Sequence, residues 1–309
     1  MLKKLSSLFL MIALGTTIVA TNSSCKKDDP APVAPKTITE IVSSDANFSL
    51  LKQAVTRAGL ASALSTGNLT VFAPDNAAFA ASGITSTTID AIPVADLAEL
   101  LTYHVLGAKV LSTGVPVSDT VSTLQGENIY ASKNANGVFV NGVKVKTADV
   151  AAANGVIHVI SSVLTPPTST IAELATATPD LSLLLTAVVR AGLAGAVSAP
   201  GKYTVFAPTN AAFIAAGFPD EASINAAPVA TVASIVKAHI LPSNVFASDL
   251  IAGATAATLE TGKTLVIGTT PPSVKIQGSV NPVSNIVVPS GVNITATNGV
   301  VHLIDRVLL

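Results

Sequence analysis

The sequence predicts an α+β fold class carried by two tandem domains. Three observations lead there. Short motifs recur along the chain at a nearly constant offset, the first part of each copy spaces its apolar residues as helices do, and the last part carries hairpin signatures. Thr37-x-x-Glu40 returns as Thr170-x-x-Glu173, and Arg57-Ala-Gly-Leu60 returns as Arg190-Ala-Gly-Leu193. Thr70-Val-Phe-Ala-Pro-Asp-Asn-Ala-Ala-Phe79 returns as Thr204-Val-Phe-Ala-Pro-Thr-Asn-Ala-Ala-Phe213. His104 matches His239, and Asn154-Gly-Val-Ile-His158 matches Asn298-Gly-Val-Val-His302. A spacing of this size exceeds a solenoid unit and fits whole domains, placed at 37–166 and 168–309.

Each copy opens with helices. Thr37 and Thr170 stand three residues before a Glu, the capping-box pattern in which the Thr oxygen accepts an orphan backbone N–H. Thr178-Pro179 is a further start, because proline tolerates the first helical position. Leu183, Leu184, Ala187, Val188 and Ala191 then form a stripe at helical spacing, matched by Leu50, Leu51, Ala54, Val55 and Ala58. The stretch 181–199 has Arg190 as its only charge and would pass for a membrane span. Lys52, Gln53 and Arg57 occupy the same element of the first copy, so the expectation is a core helix.

The strands come later. Val138 to Val145 places β-formers on both sides of Asn141-Gly142, a dipeptide suited to the positive φ of a two-residue hairpin. Asn154-Gly155 and Asn298-Gly299 lead into apolar runs that read as buried strands. This segregation favours α+β over a βαβ sheet. The second copy holds about nine extra residues between its histidines, expected in loops around Pro271-Pro272 and Pro289-Ser290-Gly291.

Composition narrows the function. Of 309 residues, 49% are apolar and 11% charged, and mean hydropathy is +0.61. Lys+Arg number 17 against 18 Asp+Glu, with no basic stripe of the kind nucleic acid requires. A single cysteine excludes an intramolecular disulfide and any cysteine-rich metal site.

That cysteine ends a leader. Lys3 and Lys4 precede an apolar run from Leu5 to Ala20, shorter than the ~20 residues of a spanning helix. Residues 1–24 resemble a bacterial lipoprotein signal peptide, which implies that Cys25 is acylated; Asn22 departs from the aliphatic residue usual three places before that Cys. Lys26-Lys27-Asp28-Asp29 is similar to the export signal of lipoproteins displayed outside Gram-negative outer membranes. Pro30, Pro32 and Pro35 favour a semi-rigid polyproline II stalk across 25–36. The implied location is the outer membrane, lipid-anchored and facing the cell exterior.

The repeated Thr-Val-Phe-Ala-Pro-x-Asn-Ala-Ala-Phe motif, the central Tyr103-His104 and the closing Asn-Gly-Val-x-His run together resemble the fasciclin domain. The resemblance covers everything after about residue 36. It implies a wedge or sandwich of β-strands with helices packed on one side, and a non-enzymatic extracellular adhesion module binding protein or polysaccharide. Ala238 stands where the first copy has Tyr103, and Ser161 where the second has Asp305.

The candidate residues carry simple expectations. His104, His158, His239 and His302 read as structural histidines, since no acid or thiol is duplicated at ligand spacing and a buried imidazole needs partners. No metal or cofactor is expected. His302 with Asp305 would make a catalytic pair, but Ser161 replaces that acid. Asp75 and Thr209 are placed to cap the helix opening at Asn-Ala-Ala-Phe, with Asn76 and Asn210 tying the turn to nearby backbone. Tyr103 and His104, flanked by Leu100, Leu101, Val105 and Leu106, read first as an amphipathic helix end packing on the core; they also resemble the segment proposed for partner binding in animal fasciclin proteins. There is no Gly-x-Ser-x-Gly, His-Glu-x-x-His, phosphate loop or dinucleotide fingerprint. The alternative to adhesion is an envelope enzyme or a small-molecule or glycan receptor using the cleft between the domains.

Overall fold

The computed structural model describes residues 34–115, 118–268, 273–279, 281–287 and 291–309. The expected signal peptide 1–24, Cys25 and the expected stalk up to residue 33 lie outside the described residues, as do 271–272 and 289–290 of the expected loops. Pro35–Leu309 is one compact unit.

The first domain runs α1 (Ile38–Ser44), α2 (Ser49–Arg57), β1 (Leu69–Pro74), α3 (Asn76–Ala81), α4 (Ser86–Ala91), α5 (Val94–Tyr103) and β2 (Val105–Leu106). It continues with β3 (Ser118–Ser122), β4 (Asn128–Asn134), β5 (Gly137–Val140), β6 (Val143–Ala152) and β7 (Gly155–Ile160). Thr37 and Glu40 form a reciprocal capping box at α1. The Arg-Ala-Gly-Leu motif closes α2 as a Schellman turn: Leu60 N–H donates to Val55 O, Gly59 N–H to Thr56 O, and Gly59 adopts φ +69°. Arg57 Nη2 then donates to Ile92 O, fastening α2 to the end of α4.

The second domain runs α6 (Ile171–Ala177), α7 (Ser182–Arg190), α8 (Ala194–Ser198), β8 (Tyr203–Pro208), α9 (Asn210–Ala215), α10 (Glu221–Ala226), α11 (Val229–Ala238) and β9 (Ile240–Leu241). Then come β10 (Thr255–Ala257), β11 (Thr264–Gly268), β12 (Ser273–Ile276), β13 (Ser284–Asn285), β14 (Ile294–Ala296) and β15 (Gly299–Ile304). The stretch 181–199 is not the single helix expected. α7 stops at Arg190 in a Schellman turn through Gly192, φ +69°, and α8 starts afresh. Among the described residues no single helix is long and apolar enough to cross a membrane.

The segregation of helices from strands is also incomplete. β1 lies among the helices yet pairs in parallel with β7, from Leu69↔Gly155 to Pro74↔Ile160, and β8 does the same with β15. Only a glycine fits the start of β7 or β15, since a Cβ there would collide with the carbonyl oxygen of Leu69 or Tyr203. The first domain's sheet has the order β2-β1-β7-β6-β5-β4-β3. Asn141 and Gly142, both at positive φ, turn β5 into β6.

In the second domain the strand corresponding to β6 is split into β13 and β14, giving sheets β10-β11-β12-β13 and β14-β15-β8-β9. The two-residue turn of the first domain becomes the connection 277–283, which absorbs part of the extra length.

Every β1 residue is buried, because the strand has cores on both faces. Val71 and Ala73 pack with Leu51, Val55, Phe79 and Leu97 of the helices, whereas Phe72 packs with Tyr103, Ile129, Val140 and Ile160 inside the curled sheet. β8 repeats this with Val205 and Ala207 on one side and Phe206 on the other.

Candidate functional site

Each histidine sits where a buried polar pin joins distant backbone. His104 follows the last residue of α5, and Leu164 N–H donates to its Nε2 at 2.9 Å. A backbone N–H can only donate, so Nδ1 carries the proton and donates to Leu100 O at 2.7 Å. His239 repeats the arrangement with Leu308 N–H and Ile235 O, at 2.9 and 2.8 Å. His158, on β7, has the opposite tautomer. Asp149 N–H donates to its Nδ1 at 3.2 Å, and Nε2 donates to Val110 O at 2.9 Å. His302 does the same with Asn293 N–H and Val245 O, at 3.3 and 2.9 Å.

Phe72 stacks on His158 and Phe206 on His302, with centroids 5.5 and 5.4 Å apart. Burial pushes His104, His239 and His302 down to about 4, against the opposing pull of their carbonyl acceptors, so these rings are neutral near pH 7.

This geometry gives the four rings no free nitrogen for a metal or a proton transfer. Among the described residues, no three His, Cys, Asp or Glu side chains meet as a metal site would require. Asp305 does not join His302. Its carboxylate accepts from the backbone and side chain of Asn285 instead.

Asp75 accepts from Ala78 N–H at the start of α3, and Thr209 accepts from Ala212 N–H at the start of α9. Partial burial raises the Asp75 carboxyl, but hydrogen bonds from Lys146 and Ala78 outweigh it and hold the group below its ordinary range. The Lys146 ion pair, at 2.6 Å, belongs to the first domain alone, because a threonine stands at 209. Asn76 Oδ1 accepts from Leu50 N–H while its Nδ2 donates to Ala46 O. Asn210 bridges Leu183 N–H and Pro179 O in the same way. Each asparagine therefore locks the start of a core helix to the strand–helix turn.

Tyr103 and His104 need correction as partner-binding residues. They are 1% and 3% exposed, and Tyr103 Oη donates to Asn128 O while accepting from Asn141 Nδ2. Burial pushes its phenol up to about 12. A partner could reach them only by opening the core, and their counterparts in the second domain, Ala238 and His239, are equally buried.

Sequence reasoning passed over two groups. Thr70 and Thr204, inside the repeated motif, each bridge a carbonyl and an N–H two residues apart: Ala108 and Val110, or Ser243 and Val245. The second group joins the domains. Tyr130 on β4 stacks on Phe246 at 5.1 Å, Ser132 Oγ donates to Asp249 Oδ1 at 2.7 Å, and Asn134 Nδ2 donates to Ser248 O at 2.8 Å. A signal was present, since the copies differ here: Phe246 and Asp249 stand where the first has Leu111 and Gly114.

Comparison with known proteins agrees with the duplicated architecture. Transforming growth factor-beta-induced protein ig-h3 of Sus scrofa is 30% identical over 247 residues, 79% of this chain and 35% of that protein. Periostin of Homo sapiens is 30% identical over 247 residues, 79% of this chain and 28% of its own length. The chain thus spans about a third of these two relatives. Protein sll1483 of Synechocystis sp. is 39% identical over 166 residues, 50% of this chain and 91% of that protein. A solved FAS1 domain pair from the insect cell adhesion molecule fasciclin I is 18% identical, with a TM-score of 0.42 over 84% of this chain and 97% of that one. The fasciclin domain model matches residues 46–166 and 179–309, one stretch in each copy, and the chain belongs to the fasciclin family.

Proposed function

We propose that the protein is a non-enzymatic interaction module of the cell surface, which binds an extracellular protein or polysaccharide through the outer faces of its two domains. The observation that carries this reading is the engagement of the histidine, asparagine and capping side chains of the repeated motifs. All four histidines, both motif asparagines and both capping residues are bound to backbone, so the repeated motifs build the fold and leave recognition to the surface. Membership of the fasciclin family supports an extracellular setting. The test is an array of matrix proteins and glycans probed with the unit 35–309. Saturable binding to at least one of them, with no turnover of ester or glycoside substrates, is the expected result.

The anchor belongs to the same proposal. A lipid on Cys25 and the proline-rich segment after it would hold the domains clear of an outer membrane, on the exterior face. Two or more acyl chains give stable attachment at ~0.8 kcal/mol per buried methylene. Cys25→Ala should release the protein from the membrane fraction; a variant that still sediments with membranes would count against acylation.

One observation favours the alternative of a small-molecule or glycan receptor. At the domain junction a cavity of ≈ 310 Å³ is lined by Tyr130, Lys133 and Asn134 of the first domain and Asn244, Asp249 and Ile251 of the second. Asn244 Oδ1 is buried there without a hydrogen-bond partner. The volume is at the lower end of the ~300–1,000 Å³ usual for ligand pockets. Loss of glycan binding in Asn244→Leu at unchanged stability would favour this reading.

A further inference from the structure

The junction is built from two elements, and each domain owns a copy of both. In the second domain the loop after β9 carries Phe246 and the 3-10 turn Ala247–Asp249, which meet β4 of the first domain. The first domain has the same loop after β2. Thr70 bridges Ala108 and Val110 as Thr204 bridges Ser243 and Val245. The loop continues into the 3-10 turn Ser112–Gly114, where Asp149 accepts from Ser112 N–H as Asn293 accepts from Ala247 N–H. Leu111 therefore occupies the place of Phe246, but it is 44% exposed where Phe246 is 3% exposed.

The second domain likewise owns a copy of the face. Thr123 N–H donates to Glu127 O and Thr258 N–H to Lys263 O, which fixes the correspondence of β4 with β11. Val266 then takes the place of Tyr130, and Gly268 that of Ser132. The differences are paired. Tyr130 against Phe246 becomes Val266 against Leu111, smaller but apolar on both sides. Ser132 against Asp249 becomes Gly268 against Gly114, so at this position neither residue brings a polar side chain that the other would leave unsatisfied. In the junction Asn293 approaches Gly142, beside Asn141. The free surfaces carry Asp149 at the first position and half-exposed Lys275, paired with Val266, at the second. A neutral contact becomes a complementary one.

We propose that the Leu111 loop of one copy docks on the Val266 face of a second copy, repeating between molecules the junction that exists within each. Such a contact is heterologous and leaves one unused loop and one unused face, so it adds further copies head to tail. Without the aromatic stack and the Ser132–Asp249 hydrogen bond it is weaker than the internal junction. It operates where local concentration is high.

Sedimentation velocity of the unit 35–309, followed from micromolar to millimolar concentration, tests this. Concentration-dependent assembly beyond a dimer is expected. Leu111→Asp and Val266→Asp should each abolish that growth, and an equimolar mixture of the two should form a heterodimer, because each variant keeps one working surface. Lys275→Glu, on a half-exposed side chain, should also abolish it if Val266→Asp proves poorly folded. A protein monomeric at every concentration would overturn the proposal. Assembly that survives Leu111→Asp, or stops at a symmetric dimer, would overturn it as well.

Discussion

Tyr130 of the first domain and Phe246 of the second stack with centroids 5.1 Å apart and planes 25° from parallel, and with Val300 they form a separate apolar cluster. Two domains joined by a short linker are thereby held through side chains. Removing a buried Phe costs about 3–5 kcal/mol in a core. Phe246→Ala should accordingly split a coupled calorimetric transition into two, with each domain melting by itself. A variant that melts as the parent does would show that the stack couples nothing.

His104 joins α5 to the segment after β7. His104→Ala leaves Leu164 N–H and Leu100 O buried without their partners, at ~1–3 kcal/mol for each unsatisfied group. The expected loss is about 3 kcal/mol, or roughly 10 °C in melting temperature for a domain of this size. His158→Ala should behave alike, freeing Asp149 N–H and Val110 O. Denaturant titration checks both. A variant that loses partner binding while keeping its stability would contradict the structural role.

His104, His239 and His302 make the fold acid-labile. Their folded pKa of about 4 lies below the ordinary 6.5, so the unfolded chain takes up protons first. Their stabilising contribution is complete above about pH 6.5 and is lost as pH falls from there towards 4, at ~1.4 kcal/mol per pH unit for each ring. Urea midpoints at pH 7 and pH 4.5 should differ in that direction. Equal midpoints would mean that the rings are not buried as described.

Asp75 and Thr209 cap equivalent helices, but only Asp75 also meets Lys146. Either change to alanine should cost about 1 kcal/mol for the cap. Asp75→Ala should cost a further ~0.2–1 kcal/mol for a partly exposed ion pair, and that excess should fade at high salt. Equal losses at low salt would leave Lys146 without a role.

Much of the fold was legible because its determinants are local. The capping boxes, the Asn141-Gly142 turn and the strand-to-helix turn at Asp75 each need only a few adjacent residues. The parallel pairing of β1 with β7 spans more than 80 positions, and no short window announces it. Tyr103 shows the limit for sites. The helix pattern places Tyr103 against the core, but the partners of its phenol, Asn128 and Asn141, lie 25 and 38 positions away and no short window announces them. The break at Gly192 was written in the Arg-Ala-Gly-Leu motif, and the hydropathy of 181–199 masked it. The junction lay in the positions where the copies disagree, since Phe246 is needed only where a neighbouring Tyr130 faces it.

On the proposed function, the repeated motifs hold the structure while the surface does the recognising. The most direct measurement is the matrix-protein and glycan array, run with the parent unit 35–309 and repeated with His158→Ala below its melting temperature. Saturable binding of the parent, no hydrolytic turnover and unchanged affinity in the variant are expected. Turnover of an ester or glycoside by the parent, abolished in a still-folded variant, would contradict the proposed function.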